Sequence, residues 1–439
     1  MIDLNKNFKN DIFHIIYYEW HLDLRGGGPT GYLANLLDGL NRIENNVDPL
    51  IFFDTAVKQN ALPEHPDELH KFIHSFFYKN DARKNFYINN ISRYKKIEHE
   101  NYIKFLSAPR NMFCSDAMFK NINLKTTKTI HAHTIGDLIK LRNSLDRLGN
   151  HTTKLLLTCH TPERPSAEYY KSYLEQGYSD QKALAVKEKW EIIEKMAFKN
   201  SDILIFPSKE AMEPLLDTMD GFEDIIKQKD IRFIPTGAKK LKSSLTKDAA
   251  KEKYGVTGKF VVGYVGRHNE IKGYDILMDA AKQLIPNNPN ICFLIGGAQG
   301  KTFKPLEHEQ WIEAGWVNPA DLFMAIDVFV LPNRMTYYDL VLLEVMSMGV
   351  PVIASATGGN KSVYSLTNAL TLYDNSVEDL AAKIVSMSNL SQEEITHIQN
   401  ETLAAYENNF TTSLFAERYK KLINDIYADY NFLPTEDKR

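Results

Sequence analysis

Cysteine is scarce in this chain of 439 residues. Its three cysteines, Cys114, Cys159 and Cys292, lie far apart in the sequence and form no C-x-x-C pair. The lack of such a pair removes the usual spacing of a zinc site or a redox-active dithiol. An odd number of cysteines also disfavours a disulfide framework and is typical of a protein from a reducing compartment.

Long apolar runs and a large excess of one charge are missing as well. No run approaches the roughly 18 residues that cross a bilayer, and the segment Met1 to Asn7 lacks a secretory apolar core. A net charge of -4 provides no broad positive surface for nucleic acid. We therefore expect a cytoplasmic protein without a nucleic-acid partner, whose only membrane contact would be peripheral, at the inner face of the cell membrane.

The sequence does contain a regular alternation of strand-like and helix-like segments. This alternation predicts an α/β fold with doubly wound parallel sheets. A chain of 439 residues exceeds what one hydrophobic core organises, so we expect two domains. The predicted strands are 12–18, 129–133, 155–159, 203–207 and 231–236 in the first half, and 260–265, 291–295, 328–331 and 350–354 in the second.

Two clusters in the second half carry the clearest chemical information. The apolar strand Asp327 to Pro332 precedes a helix with the acidic residue Glu344. A carboxylate just past the end of a parallel strand lies where open α/β sheets bind ligands. Earlier, Arg267 and Lys272 follow another apolar strand, within Gly266-Arg267 and Lys272-Gly273. An acid for sugar hydroxyls and a basic pair for phosphates together suggest a nucleotide-sugar site.

With Gly296-Gly297 and Gly315-Trp316-Val317, these clusters make the chain resemble the retaining glycosyltransferases of family 4. The resemblance implies the GT-B architecture, in which two Rossmann-like doubly wound domains face a central cleft. It makes residues 1–238 an acceptor-binding domain, joined by the C-terminal helix in 412–439. Residues 239–411 become the nucleotide-sugar-binding domain.

Arg267 and Lys272 are the predicted contacts of the donor diphosphate. Fixed cations stabilise the charge that develops on a leaving diphosphate without a metal ion, and an arginine fork binds phosphate oxygens in pairs. The alternative is a surface arginine and lysine on a strand-to-helix loop. In the resembling family, the last Glu of an E-x7-E pattern binds the donor ribose, and Glu344 matches it; the alternative is a solvated helical Glu.

The chain departs from the family at the first Glu of that pattern, where Thr336 stands. Threonine supplies no negative charge beside a developing oxocarbenium ion. Asp339, where the family commonly has glycine, is a candidate to compensate. The amides from Tyr338 through Leu340 to Val341 lie at a helix start and are expected to contact phosphate oxygens.

His160 ends the apolar segment Leu155 to Cys159, and the family places a histidine of this loop near the anomeric centre of the donor sugar. An ordinary turn residue is the alternative. His131 and His133 alternate on a predicted strand and so share one face. His133, together with Glu163 and Arg164 just after His160, is a candidate acceptor contact. Metal binding by the two histidines lacks a visible third ligand.

The loop Arg25 to Gly31 contains three successive glycines before a predicted helix. Glycines let a backbone approach a ligand closely, and the family places such a loop against the donor, so Gly27 and Gly28 are predicted donor contacts. Gly266, Trp316 and Val317 join this set, the latter two beside the nucleobase, although Trp316 suits a core position equally well.

An aromatic and basic segment at residues 71–105 allows two interpretations. It forms helices with packed aromatics and solvated lysines, or an acceptor-binding or membrane-surface patch. The aromatic spacing fits no single helical stripe, which favours the first interpretation.

The sequence thus predicts a retaining, metal-independent glycosyltransferase that needs no cofactor, because no D-x-D triplet is present. The donor is a UDP- or GDP-linked sugar, and the acceptor a saccharide, lipid-linked or protein acceptor of bacterial polysaccharide or glycoconjugate synthesis. Two alternatives remain: a noncatalytic GT-B partner subunit, suggested by Thr336, and another GT-B enzyme such as a nucleotide-sugar epimerase or a phosphorylase.

Overall fold

Two parallel β-sheets organise the protein in a computed structural model that describes residues 14–18, 28–43, 50–53, 114, 124–297 and 303–432. Each sheet has six strands, and the strand pairs are parallel throughout. Helices lie between most of the successive strands that the structure describes. The predicted α/β class, with two Rossmann-like doubly wound sheets, is confirmed.

The first sheet has the order β2-β1-β3-β4-β5-β6. Its strands are β1 (His14–Tyr18), β2 (Leu50–Phe53), β3 (Thr129–Ala132), β4 (Lys154–Leu157), β5 (Ile203–Phe206) and β6 (Asp230–Phe233). The helices of this half are α1 (Pro29–Leu40), α2 (Ile135–Arg147), α3 (Pro165–Glu175), α4 (Asp180–Asn200), α5 (Glu213–Thr218) and α6 (Phe222–Ile226).

The second sheet has the order β12-β11-β10-β7-β8-β9. Its strands are β7 (Phe260–Val265), β8 (Ile291–Gly296), β9 (Trp311–Gly315), β10 (Val328–Leu331), β11 (Val352–Ser355) and β12 (Thr371–Tyr373). The helices that follow the first half are α7 (Lys247–Lys253), α8 (Tyr274–Leu284), α9 (Pro319–Ala325), α10 (Leu340–Met346), α11 (Gly358–Thr367), α12 (Val377–Ser388), α13 (Gln392–Asn409) and α14 (Thr412–Asp429).

The central strands lie where continuous apolar runs predict them. Every residue of β5 and of β10 is buried, as expected for parallel strands covered on both faces. The sequence analysis did not predict β2, β9 and β12, which are all edge strands. An edge strand has one neighbour and needs less burial, which accounts for β9, where only the first residue is buried. It does not account for β2, which has the short apolar run Leu50–Phe53.

The helix α14 packs against the first sheet. Its buried residues Phe415, Tyr419 and Ile423 share a core with Ile16 of β1 and Leu36 of α1. Within the described residues, no helix has both the length and the apolar composition needed to cross a bilayer.

The chain passes between the two halves at neighbouring points. The amide of Ala238 donates to the carbonyl of Phe410 at 2.9 Å, and the hydroxyl of Tyr406 donates to the carbonyl of Ala238 at 2.8 Å. Glycine is required at 237 because a Cβ there would lie 2.5 Å from the carbonyl oxygen of Thr411. The two connecting segments therefore run in direct contact.

The carboxyl ends of the two sheets face each other across a cleft. The hydroxyl of Tyr337, in the loop after β10, lies 3.5 Å from the carbonyl oxygen of Ile205 in β5. On the same side, the carboxylate of Glu213 accepts the amide of Gly358 at 3.1 Å and pairs with Lys361. Glu213 of the first half thus supplies an acceptor to the first turn of α11 in the second half.

Gly39→Ala should destabilise the protein, because α1 and α14 meet at this glycine. The added methyl group would lie 1.9 Å from the carbonyl oxygen of Thr412 and 2.9 Å from the Cβ of Ala416. Overpacking of this kind costs about 1–3 kcal/mol. Gly136→Ala in α2 is the matched control, since its nearest neighbouring atom is 3.8 Å away. Thermal unfolding midpoints compare the two variants, and equal midpoints would contradict this packing.

Candidate active site

The second sheet reverses its strand order between β10 and β7. These strands are paired neighbours, although β8 and β9 lie between them in the sequence. Open α/β sheets bind ligands beyond the carboxyl ends of the strands at such a switch point. The loop after β7 carries Arg267 and Lys272, and the segment after β10 leads into α10 with Glu344. The structure therefore places Arg267, Lys272 and Glu344, three of the predicted site residues, around the switch point.

Lys272 and Asp339 join the two loops directly. The Nζ atom of Lys272 lies 2.7 and 2.9 Å from the two carboxylate oxygens of Asp339. The side-chain amide of Asn333 also donates to this carboxylate. Gly273 has a φ of +63°, and a Cβ there would lie 1.7 Å from the carbonyl oxygen of Pro332. The glycine after Lys272 is thus needed for the close approach of the two loops.

Arg267 is exposed at the end of β7, beside Gly266, and faces the first half of the molecule. Its carbonyl oxygen accepts the hydroxyl of Tyr264 at 2.8 Å, which fixes the loop. Burial raises the pKa of Glu168 on α3, and the nearby positive charge of Arg267 opposes that rise. Glu168 is a cleft carboxylate that the sequence analysis missed, because nothing in its local sequence marks it.

Glu344 lies in the short helix α10, one turn past its first residues Leu340 and Val341. Burial raises the pKa of its carboxyl group. Within the described residues, this carboxylate has no ion pair or hydrogen bond, since the contact at Glu344 is made by its backbone carbonyl. The interpretation of Glu344 as a solvated helical residue is therefore disfavoured, and its oxygens are free to accept from a ligand.

Thr336 is fully buried and does not line the cleft as a polar group. Its Oγ1 atom is buried without a hydrogen-bond partner in the described part of the chain. The segment is packed closely, because a Cβ on Gly358 would lie 2.0 Å from the carbonyl oxygen of Thr336. The neighbouring Tyr338 is buried too. The acidic group of this segment is Asp339, whose side chain is 17% exposed.

His160 follows β4 and lies between the two halves. Its ring centroid is 4.6 Å from that of Tyr32 in α1 and 6.4 Å from that of Tyr337 in the second half. Its Nε2 atom lies 3.0 Å from Nδ1 of His133. His133 is only 1% exposed, so it lies behind His160 and does not reach the cleft surface, as an acceptor contact would require.

Glu163 and Arg164 have different surroundings. Glu163 pairs with Lys171 on α3. Arg164 is buried, and its guanidinium bonds the carboxylate of Glu194 at 2.8 Å and the carbonyl of Thr218 at 2.7 Å. The predicted acceptor contact is therefore not retained for Arg164. This arginine anchors the start of α3 to α4, which positions the loop that contains His160.

The remaining predicted donor residues have different surroundings. Trp316 is 83% exposed at the end of β9, which removes the alternative of a core tryptophan, and Val317 packs on the core. The amide of Gly297 donates to the carbonyl of Gly315 at 2.8 Å. Gly28 is described, with a φ of +62°. Gly27 and residues 71–105 lie outside the described residues.

No group of three or more histidine, cysteine, aspartate or glutamate side chains in the described ranges is arranged to bind a metal ion. His131 and His133, which the sequence placed on one face, do lie together, with ring centroids 4.1 Å apart.

Solved structures share this architecture. Sucrose-phosphate synthase from Thermosynechococcus elongatus has a TM-score of 0.59 and 18% identity, covering 95% of this chain and 100% of that one. Anabaena Alr3699/HepE in complex with UDP has a TM-score of 0.56 and 16% identity, covering 94% and 100%. At such identity the likeness shows the fold alone, which is GT-B.

Sequence comparisons match part of the second half to a known protein family. Residues 259–389 match the family model described as Glycosyl transferases group 1. D-inositol 3-phosphate glycosyltransferase of Corynebacterium jeikeium (strain K411) is 27% identical over 190 residues, which is 38% of this chain and 44% of that protein. The chain spans less than half the length of the first curated relatives it matches. The second half thus contains a segment that matches the Glycosyl transferases group 1 family model.

Glu194→Ala should destabilise the protein strongly, because it leaves the guanidinium of Arg164 buried without its carboxylate. Removing one partner of a buried ion pair costs about 3–5 kcal/mol. Lys421→Ala, which breaks the exposed pair with Asp425 on α14, is the control and should cost about 0–1 kcal/mol. Denaturant midpoints compare the variants. Similar losses in both would remove the anchoring role of the Arg164–Glu194 pair.

Proposed function

We propose that this protein is a glycosyltransferase that moves a sugar from a nucleotide-diphosphate donor to an acceptor with retention of configuration. The donor occupies residues 239–411, and the acceptor docks on residues 1–238. The observation that carries the proposal is the position of Arg267, Lys272 and Glu344 around the switch point of the second sheet. The match of residues 259–389 to Glycosyl transferases group 1 supports it.

In this proposal, each donor residue binds one part of the nucleotide sugar. Arg267 and Lys272 neutralise the diphosphate, and Glu344 accepts from two ribose hydroxyls. Trp316 and Val317 lie beside the base. The donor is UDP- or GDP-linked, and a GT-B neighbour was solved in complex with UDP. The acceptor is a saccharide, lipid-linked or protein acceptor of bacterial polysaccharide or glycoconjugate synthesis.

The proposed transfer is a front-face displacement in the closed cleft. The bond from the acceptor oxygen to the anomeric carbon forms while the bond from that carbon to the diphosphate oxygen breaks. The acceptor proton passes to a phosphate oxygen of the leaving diphosphate, so no protein base is required. Arg267 and Lys272 stabilise the departing charge. Exclusion of water by the two facing halves limits hydrolysis.

A second candidate is a noncatalytic partner subunit with the same fold. The observation that favours it is the burial of Thr336, where the resembling family has a glutamate at the reacting centre. Against it, Glu344 retains a carboxylate without a partner among the described residues, which a scaffold would not need. Transfer of sugar to an acceptor separates the two candidates.

Binding of a nucleotide diphosphate should stabilise the protein against heat. UDP, GDP, ADP and their sugar conjugates are compared with and without a chelator, because the proposed site uses no metal. A ligand at 100 times its dissociation constant adds about 2.7 kcal/mol of stability. Arg267→Ala should remove the shift and lower turnover by about two to three powers of ten.

Arg334→Ala is the matched control for that substitution. Arg334 is an exposed arginine of the neighbouring loop, and it pairs with Asp275 and not with a predicted donor residue. It should leave nucleotide binding unchanged. Thermal shifts that are absent for every nucleotide, or equal in Arg267→Ala and wild type, would contradict the proposed donor site.

Asp339→Asn should strengthen the binding of a nucleotide diphosphate. The carboxylate of Asp339 neutralises Lys272 at 2.7 Å and places a negative charge beside the expected phosphate. Asparagine retains a hydrogen-bond acceptor for Lys272 but removes the charge, so affinity should rise about three- to tenfold by Coulomb's law at short range. Asp275→Asn is the control. Calorimetry measures both, and weaker binding in Asp339→Asn would show that Lys272 needs this carboxylate for its position.

A further inference from the structure

Two histidines of the first half, the buried His133 and the partly buried His160, make an unusual contact. The Nδ1 atom of His133 and the Nε2 atom of His160 are 3.0 Å apart, and their rings are nearly parallel, at 18°. A hydrogen bond of this length between two ring nitrogens needs one N–H and one lone pair. The tautomer of one ring therefore determines the tautomer of the other.

Both rings are neutral at physiological pH. Burial lowers the pKa of His160 to about 3 and the pKa of His133 well below its ordinary value. A neutral imidazole carries a single proton. In one arrangement, Nδ1 of His133 donates to Nε2 of His160. In the other, Nε2 of His160 donates, and the proton of His133 is then on its own Nε2.

The surroundings of His133 select between these arrangements. Its Nε2 atom is buried and has no hydrogen-bond partner within the described residues. An orphaned buried N–H is rarer in folded proteins than an orphaned acceptor, and a donor buried without a partner loses its full hydration. The proton of His133 is therefore favoured on Nδ1, where it is bonded, and Nε2 keeps only its lone pair.

His133 has little freedom to rotate out of this arrangement. The ring of His131 lies against it, with centroids 4.1 Å apart. His131 is fixed in turn by the hydroxyls of Thr158 and Tyr419, each at 2.8 Å. Tyr419 belongs to α14, so the last helix supports the orientation of the histidine pair.

We infer that His133 is a positioning residue that fixes the proton of His160 on Nδ1, so that His160 faces the cleft as a hydrogen-bond donor and not as a base. Nε2 of His160 is occupied as the acceptor of the His133 proton. Nδ1 of His160 makes no hydrogen bond to a described residue and is not among the buried unpaired atoms. It therefore remains accessible to a ligand.

This inference deepens the proposed function and rests on it for the ligand, which is the oxygen of a sugar hydroxyl or of the donor near the reacting centre. A hydrogen-bond donor at this point stabilises negative charge that develops on the oxygen of the ligand. It takes no proton, which agrees with a transfer in which the leaving diphosphate receives the proton of the acceptor.

The tautomer is measured directly, without substrate, by long-range nitrogen–proton NMR correlation on protein labelled with 15N-histidine. His160→Phe assigns the signal. In wild type, His160 should show a protonated Nδ1 and a bare Nε2. In His133→Phe, which cannot donate, the proton of His160 should shift towards Nε2, because the tautomer follows the bond made by the other nitrogen. In His133→Asn, whose amide can donate, the wild-type tautomer should be restored.

Steady-state kinetics test whether the orientation of His160 by His133 affects turnover. His133→Phe should lower kcat by about ten- to a hundredfold, the usual loss when the partner that orients a functional histidine is removed, with the KM for the donor nearly unchanged. His133→Asn should recover most of this loss. Substitution of the exposed His151 is the control. A wild-type His160 with its proton on Nε2, or a tautomer unchanged in His133→Phe, would overturn the inference. Absence of transfer with a correct tautomer would instead refute the proposed function.

Discussion

The parallel pairing of β7 with β10 is the constraint on which the rest of the site depends. Neighbouring strands lie within about 5 Å of each other, so the loops at their carboxyl ends must meet. The second sheet uses this to bring Lys272 against Asp339, 67 residues further along the chain. The glycine at 273 permits the approach, since any side chain there would collide with Pro332. The ion pair, the close backbone contact at Gly273 and the strand order therefore all bring the same two loops together.

The two sides of the cleft differ in chemistry. The second half contributes charged groups, namely Arg267, the Lys272–Asp339 pair and Glu344. The first half contributes the neutral rings of His160 and Tyr32, which contact each other, and Tyr337 of the second half lies beside His160. The carboxylate Glu168 of the first half is near Arg267. The charges that would match a charged ligand are thus concentrated in the second half.

The sequence predicted the central strands and the loops after them, because both depend on local patterns. Buried parallel strands need continuous apolar runs, and the glycines of 266 and 273 stand beside the charged residues they serve. Long-range pairs were not predictable in this way. Arg164 bonds Glu194, 30 residues away, and no local pattern distinguishes this anchor from an acceptor contact. Glu168 was missed for the same reason. The edge strands β9 and β12 lack the continuous apolar runs of central strands, whereas β2 has such a run at Leu50–Phe53 and was missed all the same.

Glu213 has a consequence for the coupling between the halves. Its carboxylate accepts the first amide of α11 from across the cleft, so the start of that helix is completed by a residue of the other half. Separation of the halves exposes this amide to water and removes a negative charge from the positive end of the helix. Gly358, the donor of the amide, lies against the carbonyl of Thr336. A separation of the halves would therefore act first on this helix terminus, which lies against the segment that precedes Asp339.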